Sequence, residues 1–129
     1  MKVFVADDEA VHVFLLELFL KKWGFEVRST DNGRDALREL ESEESPCVAI
    51  LDWEMPGLEG VEVARTIRKI GKPNIYILML TAKSQAADRA KALEAGVHAF
   101  MTKPYEPEQL RLSVLAACKE LQEAGYSIA

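Results

Sequence analysis

The strongest constraint on the fold is an alternation along the chain, in which short apolar runs are separated by segments with apolar residues at helical spacing. The runs are Lys2 to Ala6, Phe25 to Ser29, Cys47 to Leu51, Asn74 to Leu80 and His98 to Met101. Near-continuous apolar strands are typical of a parallel sheet that helices cover on both faces. The pattern therefore predicts one doubly wound α/β domain over residues 1–129, with right-handed crossovers.

The segments between the runs predict helices. The first helix carries Val11, Phe14, Leu15, Leu18 and Phe19 at helical spacing, and the third carries Val63, Ala64, Ile67 and Ile70. The second helix starts at a cap on Asp31 or Asn32. The fifth starts at Pro107. The fourth begins at the cap candidate Ser84, and its inward candidates are only Ala86, Ala87, Ala90 and Leu93. Because that face is thin, we expect the fourth helix to bury little area and to shift most easily.

Composition excludes several classes of protein. With 49% hydrophobic and 29% charged residues in 129 positions, the chain is globular, and it has no apolar run of the roughly 20 residues that a membrane span needs. The formal net charge of −5 argues against direct nucleic-acid binding. The first residues do not form a secretory signal, so we expect a cytoplasmic protein. Cys47 and Cys118 lack metal-ligand spacing and are expected to be small buried residues.

Acidic residues follow two of the predicted strands. Asp7 and Asp8 come directly after the first strand, and Asp52 comes directly after the third. Ligands of such sheets bind beyond the carboxyl ends of the strands, so these carboxylates should converge in one crevice. Crowded like charges repel one another unless a cation lies among them. Carboxylate oxygens favour a hard divalent cation, Mg²⁺ or Mn²⁺.

Two further polar residues follow the remaining strands. Thr81 comes after the fourth strand and Lys103 after the fifth. With a metal ion present, a carboxylate can attack phosphorus, while an ammonium and a hydroxyl stabilise the charge on the transferring group. Each residue alone is more often a turn, cap or surface residue. Their common position at one edge of the sheet favours a phosphoryl-transfer site.

At these residues the chain resembles the receiver domain family of two-component signalling, of which the CheY-like chemotaxis receivers are the simplest members. The motifs that carry the resemblance are VADDE at Val5 to Glu9, LDWEMPGLEG at Leu51 to Gly60, LMLTA at Leu78 to Ala82 and FMTKPYEPEQL at Phe100 to Leu110. The resemblance covers the whole chain. It implies a five-stranded parallel sheet in the order 2-1-3-4-5, with flavodoxin-like topology.

The resemblance also implies which residues act. Asp52 is the phosphoacceptor, Asp8 ligates Mg²⁺ directly, Asp7 assists through water, and the backbone carbonyl of Glu54 completes the protein ligands. A histidine kinase or phosphotransfer protein would supply the phosphoryl group. The chain would then catalyse only its own phosphorylation and dephosphorylation, and it would not be an enzyme for a separate substrate.

Other implied roles concern the phosphoryl group and the output. Thr81 and Lys103 would bind the phosphoryl oxygens, and the bond from Lys103 to Pro104 would be cis. Phe100 is either the switch aromatic, which turns inward after phosphorylation, or an ordinary core residue. The signal would leave through the fourth helix, fifth strand and fifth helix, toward a downstream protein or an output domain.

Several positions have less defined expectations. Glu54 and Lys83 flank the acceptor where the family tunes the access of water, and their side chains are able to pair. Tyr105 is a candidate for the output face. His12 and His98 are expected to be structural or surface residues, because neither stands at the end of a predicted strand.

Competing functions differ in the residues that they need. An aspartyl-phosphate phosphatase resembling the haloacid dehalogenases would have an Asp at position 54, where this chain has Glu54. A degenerate receiver that only binds a protein would not need the complete set of acceptor, metal and phosphoryl-binding residues. A flavin-binding module would need a phosphate-binding loop where Asp7 and Asp8 stand. The sequence leaves open the cognate kinase, a homodimer, and whether the chain is complete or part of a larger regulator.

Overall fold

Five strands alternate with five helices along the chain, as the apolar runs predict. In the computed structural model, which describes residues 1–128, the elements are β1 (Lys2–Ala6), α1 (Ala10–Lys22), β2 (Glu26–Thr30), α2 (Gly33–Ser42), β3 (Cys47–Leu51), α3 (Gly60–Ile70), β4 (Ile75–Thr81), α4 (Ala86–Glu94), β5 (Ala99–Thr102) and α5 (Pro107–Glu123). Two strands match their predicted bounds, and β2, β4 and β5 start one residue later than predicted.

All strand pairs are parallel, and the order across the sheet is β2-β1-β3-β4-β5. From β1 the chain first adds β2 on one side and then adds β3, β4 and β5 on the other side. The point where the strand order reverses therefore lies between β1 and β3, which are neighbours in the sheet. The loops that follow β1 and β3 therefore flank a crevice at the carboxyl edge, where doubly wound sheets bind ligands. Ala6 pairs with Leu51 in the register, so Asp7 and Asp52 leave the sheet at the same level.

The sheet separates two hydrophobic layers. One contains α2, α3 and α4, and the other contains α1 and α5. Every residue of β3 and β4 is buried, which explains why both strands read as continuous apolar runs. The cysteines form no disulfide: Cys47 is buried in β3, and Cys118 is half-buried on α5.

The residues that predict α1 are not the ones that it buries. Leu16 and Leu20 are fully buried, whereas Val11, Phe14, Leu15 and Leu18 are 75%, 61%, 42% and 51% exposed. The helix is apolar on nearly all sides, so its period does not reveal which face meets the sheet. We call the four exposed side chains the α1 outer face. The third predicted helix shows a smaller difference, because Ile70 at its end is 50% exposed.

The predicted inward face of α4 is wrong. Its buried residue is Ala92, while Ala86, Ala87 and Ala90 are exposed and Leu93 is 52% exposed. The helix begins after Gln85 rather than after Ser84. Small residues lie on several of its faces, so alanine spacing alone does not define the inward side. The expectation that α4 buries little side-chain area is confirmed.

The other helix ends follow their sequence signals. Asn32 rather than Asp31 caps α2, because its side chain accepts the Asp35 N–H at 2.8 Å. Pro107 occupies the first turn of α5, where Glu106 forms a capping box with Gln109. These caps fix where both helices begin.

Candidate functional site

Three carboxylates meet at the carboxyl edge of the sheet. Asp7 and Asp8 follow β1, and Asp52 follows β3, with one oxygen of each lying within 4.8 Å of the others. We call these three residues the acid cluster. Asp7 and Asp52 are buried, at 2% and 8% exposure, whereas Asp8 is exposed. The predicted convergence of the three carboxylates is thus present in the structure.

Lys103 supplies the positive charge of the crevice. Its Nζ donates to Asp7 Oδ2 and Asp52 Oδ2, both at 3.1 Å, and to Glu9 Oε1 at 3.2 Å. Burial by itself disfavours the ammonium, but the attraction of the carboxylates is stronger and raises the pKa of Lys103 above its ordinary value. Lys103 therefore stays charged between the two buried acids. Its peptide bond to Pro104 is cis, as the resemblance implies.

The two buried acids differ in their pKa. Burial raises the pKa of Asp52, and the attraction of Lys103 only partly opposes this. Burial also acts on Asp7, but hydrogen bonds from His12 and the Glu9 N–H, together with Lys103, lower its pKa. Asp52 accepts the Trp53 N–H at 2.7 Å on its other oxygen. Of the two buried acids, Asp52 is thus the one whose charge the protein compensates less.

A cleft opens beside Asp52 toward the end of β4. Its lining residues are Asp8, Glu9, Asp52, Glu54, Thr81, Ala82 and Lys83. Thr81 is buried at 2% exposure, and the small side chain of Ala82 leaves space next to it. Glu54 and Lys83 face each other across the cleft, with Oε1 and Nζ 3.5 Å apart, which agrees with the predicted pairing. Asp52, Thr81, Glu54 and Lys83 thus line one cleft.

Close backbone packing fixes the loop that carries Asp52. The Gly60 N–H donates to the Trp53 carbonyl at 2.8 Å, and a Cβ on Gly60 would lie 2.0 Å from the Asp52 carbonyl oxygen. Only glycine fits at this approach. Trp53 is 3% exposed, and Lys83 and Lys91 lie over its ring at 5.4 and 6.0 Å. The first turn of α3 therefore positions the backbone of Asp52.

His12, which is expected to be a structural or surface residue, lies next to the acid cluster. Its Nδ1 is 2.6 Å from Asp7 Oδ2, and its Nε2 is 2.8 Å from Tyr105 Oη. The helical Cα–Cβ bond points toward the helix start, so a residue in the first turn of α1 reaches back to the loop before it. That geometry is the sequence signal that could have identified His12. His98, in contrast, contacts Ile77 and Arg68 at the opposite end of β5.

Phe100 lies on β5 and packs against the layer that contains α4. It is half-buried, and the Arg89 guanidinium of α4 lies 5.0 Å from its ring centre. This position is compatible with a ring that can turn further inward, toward Thr81. Phe100 also packs against the hydrophobic core like an ordinary core residue. Whether it is a switch aromatic or a core residue is therefore left open by its position.

The acid cluster fits a hard divalent cation. Its donors are carboxylate oxygens, and neither histidine nor cysteine belongs to the cluster found among residues 1–128. Within the same residues, the Asp8 carboxylate makes no hydrogen bond or ion pair, so both of its oxygens are free to ligate. The backbone carbonyl of Glu54 belongs to the loop directly after Asp52.

Comparison with known proteins identifies the family. A model of the response regulator receiver domain matches residues 3–115. The chain belongs to the response regulator receiver domain family. Members of this family accept a phosphoryl group in two-component signal transduction, and this chain is such a phosphoaccepting receiver domain. Among residues 1–128, no helix is both long and apolar enough to cross a membrane.

Individual relatives agree with this assignment. The chain is 36% identical over 126 residues to the alkaline phosphatase synthesis transcriptional regulatory protein PhoP of Bacillus subtilis, covering 98% of this chain and 52% of PhoP. It thus spans about half of that regulator. The receiver domain of a sensor histidine kinase of Pseudomonas aeruginosa, with a magnesium ion in its active site cleft, is 25% identical with a TM-score of 0.79, covering 89% of this chain and 94% of that one.

A further structure agrees in fold. A CheY-like receiver domain protein of Methanospirillum hungatei is 23% identical, with a TM-score of 0.89, over 96% of this chain and 98% of that one. These structures confirm the doubly wound, CheY-like topology.

Proposed function

We propose that Asp52 is the phosphoacceptor of this receiver domain. The observation that carries the proposal is its position on the floor of the cleft, with Oδ2 3.1 Å from the Lys103 ammonium and Thr81 in the same lining. An Asp52 oxygen attacks phosphorus, the bond from phosphorus to the donor breaks, and an aspartyl phosphate remains. Water later attacks the phosphorus and releases phosphate, which restores the carboxylate. No separate substrate is turned over.

We propose that the acid cluster and the backbone carbonyl of Glu54 hold Mg²⁺ or Mn²⁺. When bound, the cation supplies charge stabilisation to the transferring phosphoryl oxygens. Asp8 is the exposed carboxylate with free oxygens, so it is suited to direct ligation. Asp7 has both oxygens engaged by proton donors, which suits it to ligation through water.

Lys103 and Thr81 act on the phosphoryl group itself. The Lys103 ammonium contacts both Asp7 and Asp52. It is therefore close enough to bind an oxygen of a phosphoryl group that is attached to Asp52. Thr81 Oγ1 accepts from the Lys83 backbone N at 3.4 Å, so the hydroxyl proton of Thr81 is not used in this contact and can be donated to a phosphoryl oxygen. Both groups would bind the negative charge of the phosphoryl oxygens, which enter the cleft only when the phosphoryl group is transferred to Asp52.

The response is proposed to leave through α4, β5 and α5. Movement of Thr81 toward the phosphoryl group vacates space behind β4, and Phe100 turns into that space. Helix α4 follows easily because Ala92 is its buried residue. A downstream protein or an output domain that prefers the new surface would then also favour phosphorylation, by linkage. A homodimer through this surface is one form of such a partner.

The phosphodonor is proposed to be a histidine kinase or phosphotransfer protein that docks on the α1 outer face. Helix α1 starts at Ala10, directly after the loop that carries Asp8, so its apolar side chains extend from the mouth of the site. Phe14→Ala should slow phosphorylation by the protein donor and leave acetyl phosphate labelling unchanged. Leu112→Ala, which removes an equally exposed side chain from α5, is the control. Equal rates from the protein donor for both variants would contradict this docking site.

We propose that residues 1–129 act as one receiver domain in the cytoplasm, without direct contact with nucleic acid or membrane. Leu121, near the end of α5, is 4% exposed and packs on the same layer as Leu16 of α1. The helix therefore belongs to the domain beyond the last residue that the family model matches.

Acetyl phosphate labelling tests the acceptor. With Mg²⁺, the wild type should gain the mass of one phosphoryl group, and Asp52→Asn should gain none. Asp35→Asn, which alters another carboxylate at the rim, should be labelled like the wild type. Full labelling of Asp52→Asn would exclude Asp52 as the acceptor.

A further inference from the structure

The imidazole of His12 connects two loops of the site. It contacts Asp7 in the loop after β1 and Tyr105 in the loop after β5, at 2.6 and 2.8 Å. The His12 side chain is 15% exposed, and the rings of His12 and Tyr105 meet edge to face. Since Tyr105 stands two residues after Lys103, this contact reaches the loop that carries the ammonium.

The direction of both hydrogen bonds follows from their partners. An ionised carboxylate only accepts, so His12 Nδ1 carries the proton that is shared with Asp7 Oδ2. Burial raises the pKa of Tyr105 to about 12, so its hydroxyl keeps its proton and can donate to His12 Nε2. With a single proton on the ring, the imidazole donates to one loop and accepts from the other.

His12 limits how Asp7 can turn. Asp7 Oδ1 accepts the Glu9 N–H at 2.9 Å, while Oδ2 is shared between His12 Nδ1 and Lys103 Nζ. Without His12, Oδ2 would be held by Lys103 alone. The Lys103 ammonium also binds Asp52, so its position depends on the charge that Asp52 carries. The bond from His12 is therefore the hold on Oδ2 that does not depend on Asp52.

We propose that His12 is a positioning residue, which fixes the Asp7 carboxylate for the metal ion and ties the Lys103 loop to α1 through the Tyr105 hydroxyl. This inference rests on the proposed metal site. Residues that orient metal ligands typically change metal affinity by about 10- to 100-fold when they are removed. An Asp7 that acts through water should lie at the lower end of that range.

Mg²⁺ titrations of the metal-free protein, followed by calorimetry, test the proposal. His12→Phe keeps a ring but removes both bonds, and it should weaken Mg²⁺ binding about tenfold. His12→Asn keeps an N–H donor near the position of Nδ1, and it should restore most of this loss. Tyr105→Phe should weaken binding by a smaller factor than His12→Phe, because the bond from His12 to Asp7 remains. Tyr126→Phe, which removes a hydroxyl from the end of the chain away from the site, should bind like the wild type.

The outcomes separate this inference from the proposed metal site. A wild type that does not bind Mg²⁺ would overturn the metal site itself. A wild type that binds, with His12→Phe binding equally well, would overturn the role of His12 alone. If His12→Phe fails to fold, His12→Asn is compared with His12→Gln, whose amide lies farther from Asp7, and equal affinities would overturn the proposal. Nitrogen NMR should show the His12 proton on Nδ1, and a ring protonated only on Nε2 would also overturn it.

Discussion

Replacing Lys103 should lower the stability of the metal-free protein. Its side chain is 17% exposed, and it bridges Asp7 and Asp52, whose side chains are 3% and 10% exposed. In Lys103→Met the two buried carboxylates lose their shared cation. Removing one partner of a buried ion pair destabilises a protein by about 3–5 kcal/mol. The crevice is open to water beside Asp8, so we expect about 2–3 kcal/mol here.

Urea denaturation measures this difference. The expected loss corresponds to a fall of about 1–2 M in the urea midpoint of a domain of this size. Added Mg²⁺ should narrow the gap between Lys103→Met and the wild type, because the metal ion replaces the missing charge. Mild acid should also narrow the gap in stability between the two proteins. A buried carboxyl without a cation has a raised pKa, so it costs little folding stability while it is protonated. The cost appears as the pH rises through that pKa and the carboxyl ionises.

Lys83→Met is the matched control. Lys83 also lies beside the acceptor, but its partner Glu54 is exposed, so its loss should change stability by no more than about 1 kcal/mol. The reasoning is refuted if Lys103→Met unfolds at the same urea concentration as the wild type without metal. It is also refuted if the gap between the two proteins is the same at all Mg²⁺ concentrations.

Three further predictions concern other parts of the domain. Gly60→Ala should reduce both stability and acetyl phosphate labelling, because its Cβ would press on the Asp52 carbonyl; normal labelling would contradict this. Burial lowers the pKa of His98, whose Nδ1 accepts a backbone N–H, so metal-free stability should fall as pH drops below about 6.5, and His98→Gln should flatten that slope in urea titrations. Arg89→Ala removes the cation that lies over the Phe100 ring and holds the ring in its present position. It should therefore raise the apparent affinity for beryllofluoride about two- to fivefold. A lower affinity would count against the idea that Arg89 holds Phe100.

The fold was predictable because its signals are redundant. Strands β3 and β4 are buried at every position, so their apolar runs are nearly uninterrupted. The acids stand directly after strands, and a parallel sheet brings strand ends to one edge without further information. The convergence of Asp7, Asp8 and Asp52 therefore follows from sequence position and topology together.

Helix faces and side-chain contacts were less predictable. Helix α1 is apolar on nearly all sides, and α4 carries alanine on several, so periodicity did not identify Leu16 or Ala92 as the buried residues. His12 was missed because its partners Asp7 and Tyr105 are brought together only by the pairing of distant strands. A single histidine on a helix gives no sign of such a contact unless its position in the first turn is considered.

The charges of the site also connect Asp52 to the surface that is proposed to carry the signal. Lys103 follows β5, the strand that carries Phe100, and it precedes the loop that leads into α5. In the structure Lys103 is held by Asp7 and Asp52 together, whereas Tyr105 on the same loop is held by His12. A phosphoryl group on Asp52 changes the first of these attachments and leaves the second intact. With Tyr105 held by His12, a movement of Lys103 toward that group would be taken up on the β5 side of Tyr105, and β5 is part of the surface proposed to carry the signal.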